Sequence, residues 1–183
     1  PEMSRGLGDV YKRQICDRNT MGATLALQKA CDKAGIRPVI GYTCTLAHEG
    51  EKVEVKIYCQ SQRGLRNLLR IQKAVMVDAA DATVSLPELL RRGEGNVLVF
   101  GKLAPHWMGK NLHAVKALRE TFDNVFYQVD LSEYKAERLD AEVLKATAHF
   151  FHTFYDERND SFLVEPILIA DCYYCLLYTS DAA

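Results

Sequence analysis

Four groupings of side chains in this chain have the types and spacing that chemistry requires. Asp17-Arg18 opens the stretch CDRNTMGATLALQKACDKAGIRPVIGYT, residues 16–43, and Asp171 lies near the far end in EPILIADCYY. Aspartate is a ligand type for divalent ions, and the ends of strands are where ligands usually bind. His149 and His152 stand three apart in a helical stretch, a spacing that permits chelation. Cys172-Tyr-Tyr-Cys175 has the spacing of a redox or metal-ligand pair. Arg66, Arg70 and Lys73 fall on one flank of a helix, where they could meet a phosphate backbone or another domain, or serve as a solvated face.

Neighbouring residues bear on each grouping. On a helical wheel His149 and His152 lie opposite Val143, Phe150 and Phe154 and beside Glu142 and Lys145, a solvent face with no third ligand. With Cys175 set aside, Cys16, Cys31, Cys44, Cys59 and Cys172 are widely spaced and odd in number, as buried free thiols of a reducing cytoplasm would be. His48 sits in a turn, and His106 and His113 flank Trp107-Met108-Gly109. A glycine-rich phosphate loop, a nucleophile elbow and a Ser-His-Asp order are all missing from the sequence.

The elements that must position these groups follow from periodicity. Asp17 and Asn19 precede a helix and are placed to cap it, and Leu25, Leu27, Ala30, Cys31 and Ala34 supply its apolar content. Gly35 stands where a left-handed stop is expected, and Pro38 opens the β-branched Val39-Ile40. Strand, helix, strand predicts a parallel α/β unit, whose strand C-terminal ends are where ligands bind. Residues 39–46 and 53–59 read as a hairpin across HEGEK. The stretch SQRGLRNLLRIQKAVMVD places Leu65, Leu68, Leu69, Val75 and Met76 on a helical stripe. Ser85 and Glu88 have capping-box spacing ahead of another helix. VLVFG is a buried-strand candidate, followed by a helix over 113–122, a strand over 125–131 and a long helix over 137–154. The inward stripe of that last helix reads Val143, Leu144, Thr147, Phe150, Phe151 and Phe154. No repeat or low-complexity linker divides the series, so one α/β domain is expected.

Composition agrees with that class. Across 183 residues, 23 Lys and Arg against 24 Asp and Glu give a formal charge of -1, so no global basic field points to nucleic acid. Hydrophobic content of 48% suits a globular protein, and no apolar run reaches the roughly 20 residues a bilayer span needs. A cytoplasmic protein without a membrane partner is expected.

Without a gap, residues 16–43 resemble the second motif of the PHP (polymerase and histidinol phosphatase) domain found in DNA polymerase III alpha subunits. Asp17, Met21, Lys33, Ala34, Gly35, Ile36, Pro38, Ile40 and Gly41 match its pattern, T-D-H-G-N-M, a helix ending K-K-A-G, then I-K-P-I-I-G-C-E. The GLRNL helix, VLVFG and EPILIAD resemble later parts of the same domain. The departures fall on the family's metal ligands: Arg18 replaces a His, Thr43 a Glu, and Tyr173 a His, while Asp171 keeps the Asp. The family's first His-x-His pair would lie upstream of Ile15.

The resemblance implies an incomplete, distorted (β/α)7 barrel lacking its first strand. It implies a degenerate metal site at Asp17, Arg18, Thr43, Asp171 and Tyr173, with no catalytic residue and no metal or other cofactor in this chain. Arg18 is expected to replace the metal as counter-charge to Asp171, with Tyr173 covering the site, or else simply to point into solvent. The intact protein is implied to be a replicative DNA polymerase. Its nucleotidyl transfer, magnesium site, DNA and replisome contacts would belong to downstream domains, leaving a structural role here. A metal-dependent PHP phosphoesterase or 3'-5' proofreading exonuclease is the enzyme alternative, and a stand-alone α/β binding module is the third.

Both ends resemble something else. Residues 4–14, SRGLGDVYKRQ, and 175–183, CLLYTSDAA, are similar to translations of the transposon-end adapter of short-read sequencing libraries. Residues 1–14 and 175–183 are therefore expected to be non-native tails around a fragment at 15–174, which also makes the Cys172/Cys175 spacing an accident.

Overall fold

The computed structural model describes residues 12–130 and 140–169. The chain is α/β, with one large mixed sheet and helices packed on one of its faces. Strand β1 (Lys12–Arg18) leads through helix α1 (Thr24–Ala34) to β2 (Arg37–His48), and the two strands pair in parallel from Lys12↔Arg37 to Arg18↔Thr43. The parallel unit expected from residues 16–43 is thus present, and Gly35 closes α1 at φ 67 as anticipated. Lys12, Arg13 and Gln14, assigned by sequence to the N-terminal tail, are the first three rungs of β1. The remainder of that tail and residues 175–183 lie outside the described residues.

Capping of α1 departs from expectation. The helix starts later than the sequence suggests, at Thr24, and the side chain of Ala23 at its N-cap accepts nothing. Asp17 is still inside β1, opposite Tyr42, and Asn19 turns the chain at φ 53 while its N–H donates to the Thr43 carbonyl. Thr20 takes the local role instead, its Oγ1 accepting from Gly22 N at 3.2 Å. Only Cys31 of α1 is buried, and Leu25 is 60% exposed.

Strand β3 (Glu51–Cys59) returns antiparallel to β2, closing the expected hairpin. Its two-residue turn has Glu49 at φ 51 and Gly50 at φ 80, the paired positive angles of a type I′ turn, whose twist matches that of the strands. Helix α2 (Gln62–Lys73) is capped by Ser61, which accepts from Gly64 N at 3.0 Å, and runs into a wider turn at Ala74–Asp78. The buried stripe there is Gly64, Asn67, Leu68, Ile71 and Val75; Leu69 and Met76, read from sequence as inward, are about half exposed.

The short β4 (Thr83–Ser85) lies beside the far end of β2, and α3 (Leu86–Arg92) follows. Ser85 occupies the N-cap position without a side-chain bond, and the Glu88 carboxylate accepts from Arg91 and Arg92 rather than from the Ser85 N–H, so neither half of the capping box forms. After β5 (Asn96–Phe100) come α4 (Pro105–Lys110), α5 (Leu112–Thr121), β6 (Asn124–Val129), α6 (Ala141–Phe154), the small hairpin of β7 (Tyr155–Asp156) and β8 (Ser161–Phe162), and β9 (Glu165–Leu168). Of the inward stripe expected on α6, Val143, Thr147, Phe150 and Phe154 are buried, Leu144 is partly so, and Phe151 is 43% exposed.

Sheet order is β1-β2-β3-β5-β6-β9, with β4 attached to β2. β1, β2 and β4 are mutually parallel, as are β5, β6 and β9, but β3 runs against both its neighbours. Among the described residues β1 and β9 do not pair, so the strands form a path rather than a closed ring. No helix among them is long and apolar enough to cross a membrane.

Side-chain alternation divides the sheet into two faces. Tyr42, Cys44, Val55, Ile57, Leu98, Phe100, Tyr127 and Val129 turn toward the helices and join the main core. Tyr58, Val97 and Val99 turn the other way, with Cys16, Val39, Phe126, Ile167 and Ile169 packed against them.

Candidate functional site at the strand ends

The second face changes character along its length. At one end it is apolar, where Val39, Tyr58, Val97, Phe126 and Ile167 line a cavity of about 720 Å³ rimmed by Gln14, Arg37 and Gln60. Toward the C-terminal ends of β1, β2 and β6 the same alternate positions become polar: Arg18, Thr43, Glu54, Lys56, Gln128 and Asp130. That end is where parallel strands place ligand-binding groups, because loops and helix starts converge there.

Register explains the neighbours. Arg18 is opposite Thr43, and Thr45 is opposite Glu54, so a long side chain on β1 reaches over β2 toward β3. The Arg18 guanidinium forms an ion pair with the Glu54 carboxylate. With Arg18 side chain 52% exposed, solvent screens the pair, and it contributes at most about 1 kcal/mol to stability. Thr43 Oγ1 donates to the Cys16 carbonyl at 2.9 Å and lies 3.3 Å from Cys16 Sγ. Burial pushes the Cys16 thiol up, more than its contacts with Thr43, Tyr58 and Lys56 draw it down, so it stays protonated.

Lys56 is only 5% exposed and sends its Nζ across β5 to Gln128 Oε1 at 2.6 Å; Gln128 Nε2 in turn donates to the Ile169 carbonyl at 3.1 Å. A buried ammonium is costly unless hydrogen-bonded, and this chain of bonds fastens β3, β6 and the end of β9 together. Asp130, 3% exposed, continues the same polar row beyond β6. This polar end of the face, the strand-end mouth, is therefore built from two cations, two carboxylates, a hydroxyl and an amide, and its described residues include no histidine.

The expected site residues are distributed unevenly. Arg18 and Thr43 come together on this face. Asp17 does not, because alternation points it to the opposite side of β1, toward the helix layer. Asp171 and Tyr173 lie outside the described residues, as does the expected Arg18–Asp171 pairing; within them, Arg18 has Glu54 as its partner. Arg66, Arg70 and Lys73 are exposed on α2, on the helix side of the sheet and away from the mouth, with Lys73 3.3 Å from Asp78. His149 and His152 are both exposed on α6. Glu54, Lys56, Gln128 and Asp130 escaped notice in the sequence, although the polar positions alternating through VEVKIYC and YQVD carried the signal.

The described cysteines, Cys16, Cys31, Cys44 and Cys59, are free thiols. Cys44 is on the core face, and burial pushes its thiol up to about 12. Because only the thiolate attacks a disulfide, Cys44 should resist a disulfide reagent at pH 8 in the folded chain and react once denatured. Rapid native labelling at Cys44, read by peptide mass spectrometry, would contradict its placement.

No protein-family model and no curated protein matches the chain. Among solved structures, 19 chains do. One, from Bifidobacterium adolescentis and provisionally assigned as a metal-dependent phosphoesterase, is 11% identical over 76% of this chain and 73% of that one, with a TM-score of 0.39. A likeness of that size fixes no family.

Proposed function

We propose that this chain is the core of an incomplete PHP-like barrel in which fixed side-chain charge has replaced metal, serving as a structural domain of a DNA polymerase III alpha-like protein. The observation that carries this reading is the Arg18–Glu54 ion pair, which puts a guanidinium at the position of a family His ligand. A guanidinium offers donors only and cannot ligate a cation. Thr43, at the position of the family Glu, has its hydroxyl committed to the Cys16 carbonyl. Metal-assisted hydrolysis needs several convergent ligands, and the mouth supplies a cation where one should be. Support for the polymerase context is the gapless similarity of residues 16–43. DNA, magnesium and replisome subunits would be engaged by residues beyond this chain.

Two measurements test the proposal. The longer reading frame, recovered from intact DNA, should continue into a polymerase palm; a stop codon soon after Tyr174 would overturn the polymerase assignment. The purified chain should hydrolyse a chromogenic phosphodiester no faster with manganese or zinc than without. Metal-stimulated turnover abolished by Glu54→Ala or Asp171→Ala would instead establish the phosphoesterase.

A further inference from the structure

A second cluster lies on the helix side of the sheet. His48 ends β2 with its side chain 17% exposed and its ring edge-on to Trp107 of α4, centroids 6.3 Å apart. From α5, His113 brings its Nε2 to 3.3 Å from His48 Nε2, although 65 residues separate them in sequence. Glu49, first residue of the type I′ turn, places Oε1 3.8 Å from the same His48 nitrogen. One donor atom from each of the three residues lies within 4.8 Å of the other two.

We propose that His48, His113 and Glu49 form a tetrahedral site for a zinc-type divalent ion, with water as fourth ligand, clipping the β2–β3 turn to α5. The nitrogen separation is the deciding quantity. Zinc–nitrogen bonds of about 2.0–2.1 Å at a tetrahedral angle put two ligand nitrogens roughly 3.3–3.4 Å apart, whereas a right-angled arrangement puts them about 2.9 Å apart. The observed 3.3 Å fits the former; it is also the length of a hydrogen bond between two imidazoles, which the third ligand and a metal titration tell apart from a metal site. Glu49 is exposed at the turn, so rotation about its side-chain torsions is free to carry its carboxylate in from 3.8 Å of His48 Nε2 and from within 4.8 Å of the His113 nitrogen. Its charge also offsets that of the ion. The next carboxylate along, Glu51, is already held by Lys110 at 2.7 Å. A set of two His and one Glu with an open fourth position is a recognised zinc ligand set. The site is separate from the strand-end mouth and shares no residue with it.

Cobalt(II) is the probe, because a tetrahedral Co²⁺ site absorbs strongly in the visible and quenches nearby indole fluorescence. Trp107 is the single tryptophan of the chain and sits against His48. Titration of the full chain should give one saturable Co²⁺ per molecule, intense visible bands, Trp107 quenching, and displacement of both signals by Zn²⁺. His113→Ala, at an exposed helical position, should fold normally and weaken binding at least about a hundredfold, a modest share of what ligation contributes in structural zinc sites. Glu49→Gln, which keeps shape and removes charge, should weaken it about tenfold or more. The His149→Ala/His152→Ala, Glu54→Ala and Asp171→Ala chains should bind as the parent does, which keeps this test apart from that of the mouth. The proposal is overturned if the parent shows no saturable binding at submillimolar Co²⁺ or only the weak bands of an octahedral ion. Unaltered affinity in His113→Ala would overturn it equally.

Discussion

Replacing Phe150 by alanine is expected to lower unfolding free energy by about 3–5 kcal/mol, the range for emptying a fully buried aromatic position. Phe150 is fully buried on α6, and its ring stacks on Tyr127 of β6 at 4.2 Å and on Phe162 of β8 at 5.7 Å, with Phe154 at 5.3 Å. Those partners come from three different elements, so the cavity cannot collapse by moving one of them. The neighbouring Phe151 is the built-in control. It is 43% exposed and meets Phe150 and Phe162 only edge-on at 5.6 Å, so Phe151→Ala should cost about 1–2 kcal/mol, clearly less than Phe150→Ala. Denaturant unfolding of the two variants would settle the orientation of α6. Similar losses from both would mean that α6 is rotated about its axis, with Phe151 as deeply seated as Phe150.

The same pair shows how far sequence could be read. Periodicity located the helix and most of its inner stripe, since Val143, Thr147, Phe150 and Phe154 recur at helical spacing. It could not separate Phe150 from Phe151, because adjacent aromatics are equally apolar and only the packing partners choose between them. The hairpin of β2 and β3 was legible from alternation and its turn, and Gly35 from its place after α1. Asp17 and Asn19 misled, because good capping residues also serve in strand ends and left-handed turns. At the mouth, Arg18 and Thr43 were visible through resemblance, but their partners Glu54 and Cys16 belong to the register between strands, which a linear motif does not contain. The proximity of His48 and His113 is likewise a tertiary fact, arising where a hairpin end meets a helix start.

Gly64→Ala should destabilise the fold by about 2 kcal/mol or more, against the usual helical preference for alanine. Alanine in a helix interior gains about 1 kcal/mol over glycine and somewhat less in the first turn, where Gly64 stands, so α2 taken alone would still favour the change. Tertiary packing reverses the sign. A Cβ at Gly64 would fall on the carbonyl oxygen of Gly95 and come within 2.7 Å of its carbon and 2.8 Å of Asn96 Oδ1. Gly95 cannot retreat easily, because its carbonyl accepts from Gln60 N and its own N–H donates to Asp123. Asn67, one turn further along α2, adds a bond from Nδ2 to the Glu94 carbonyl at 3.0 Å, holding the same two segments together. Overpacking of this kind costs about 1–3 kcal/mol or more, enough to outweigh the propensity gain. In Gly35→Ala the added methyl meets nothing within 4 Å, so only the left-handed φ of 67 is strained, at about 1 kcal/mol. The GLRNL segment is thus explained by a close helix–strand contact that seats α2 and leaves Arg66 and Arg70 facing solvent. If thermal unfolding showed Gly64→Ala to be as stable as the parent, that contact would be wrong, and those arginines would need to be placed again.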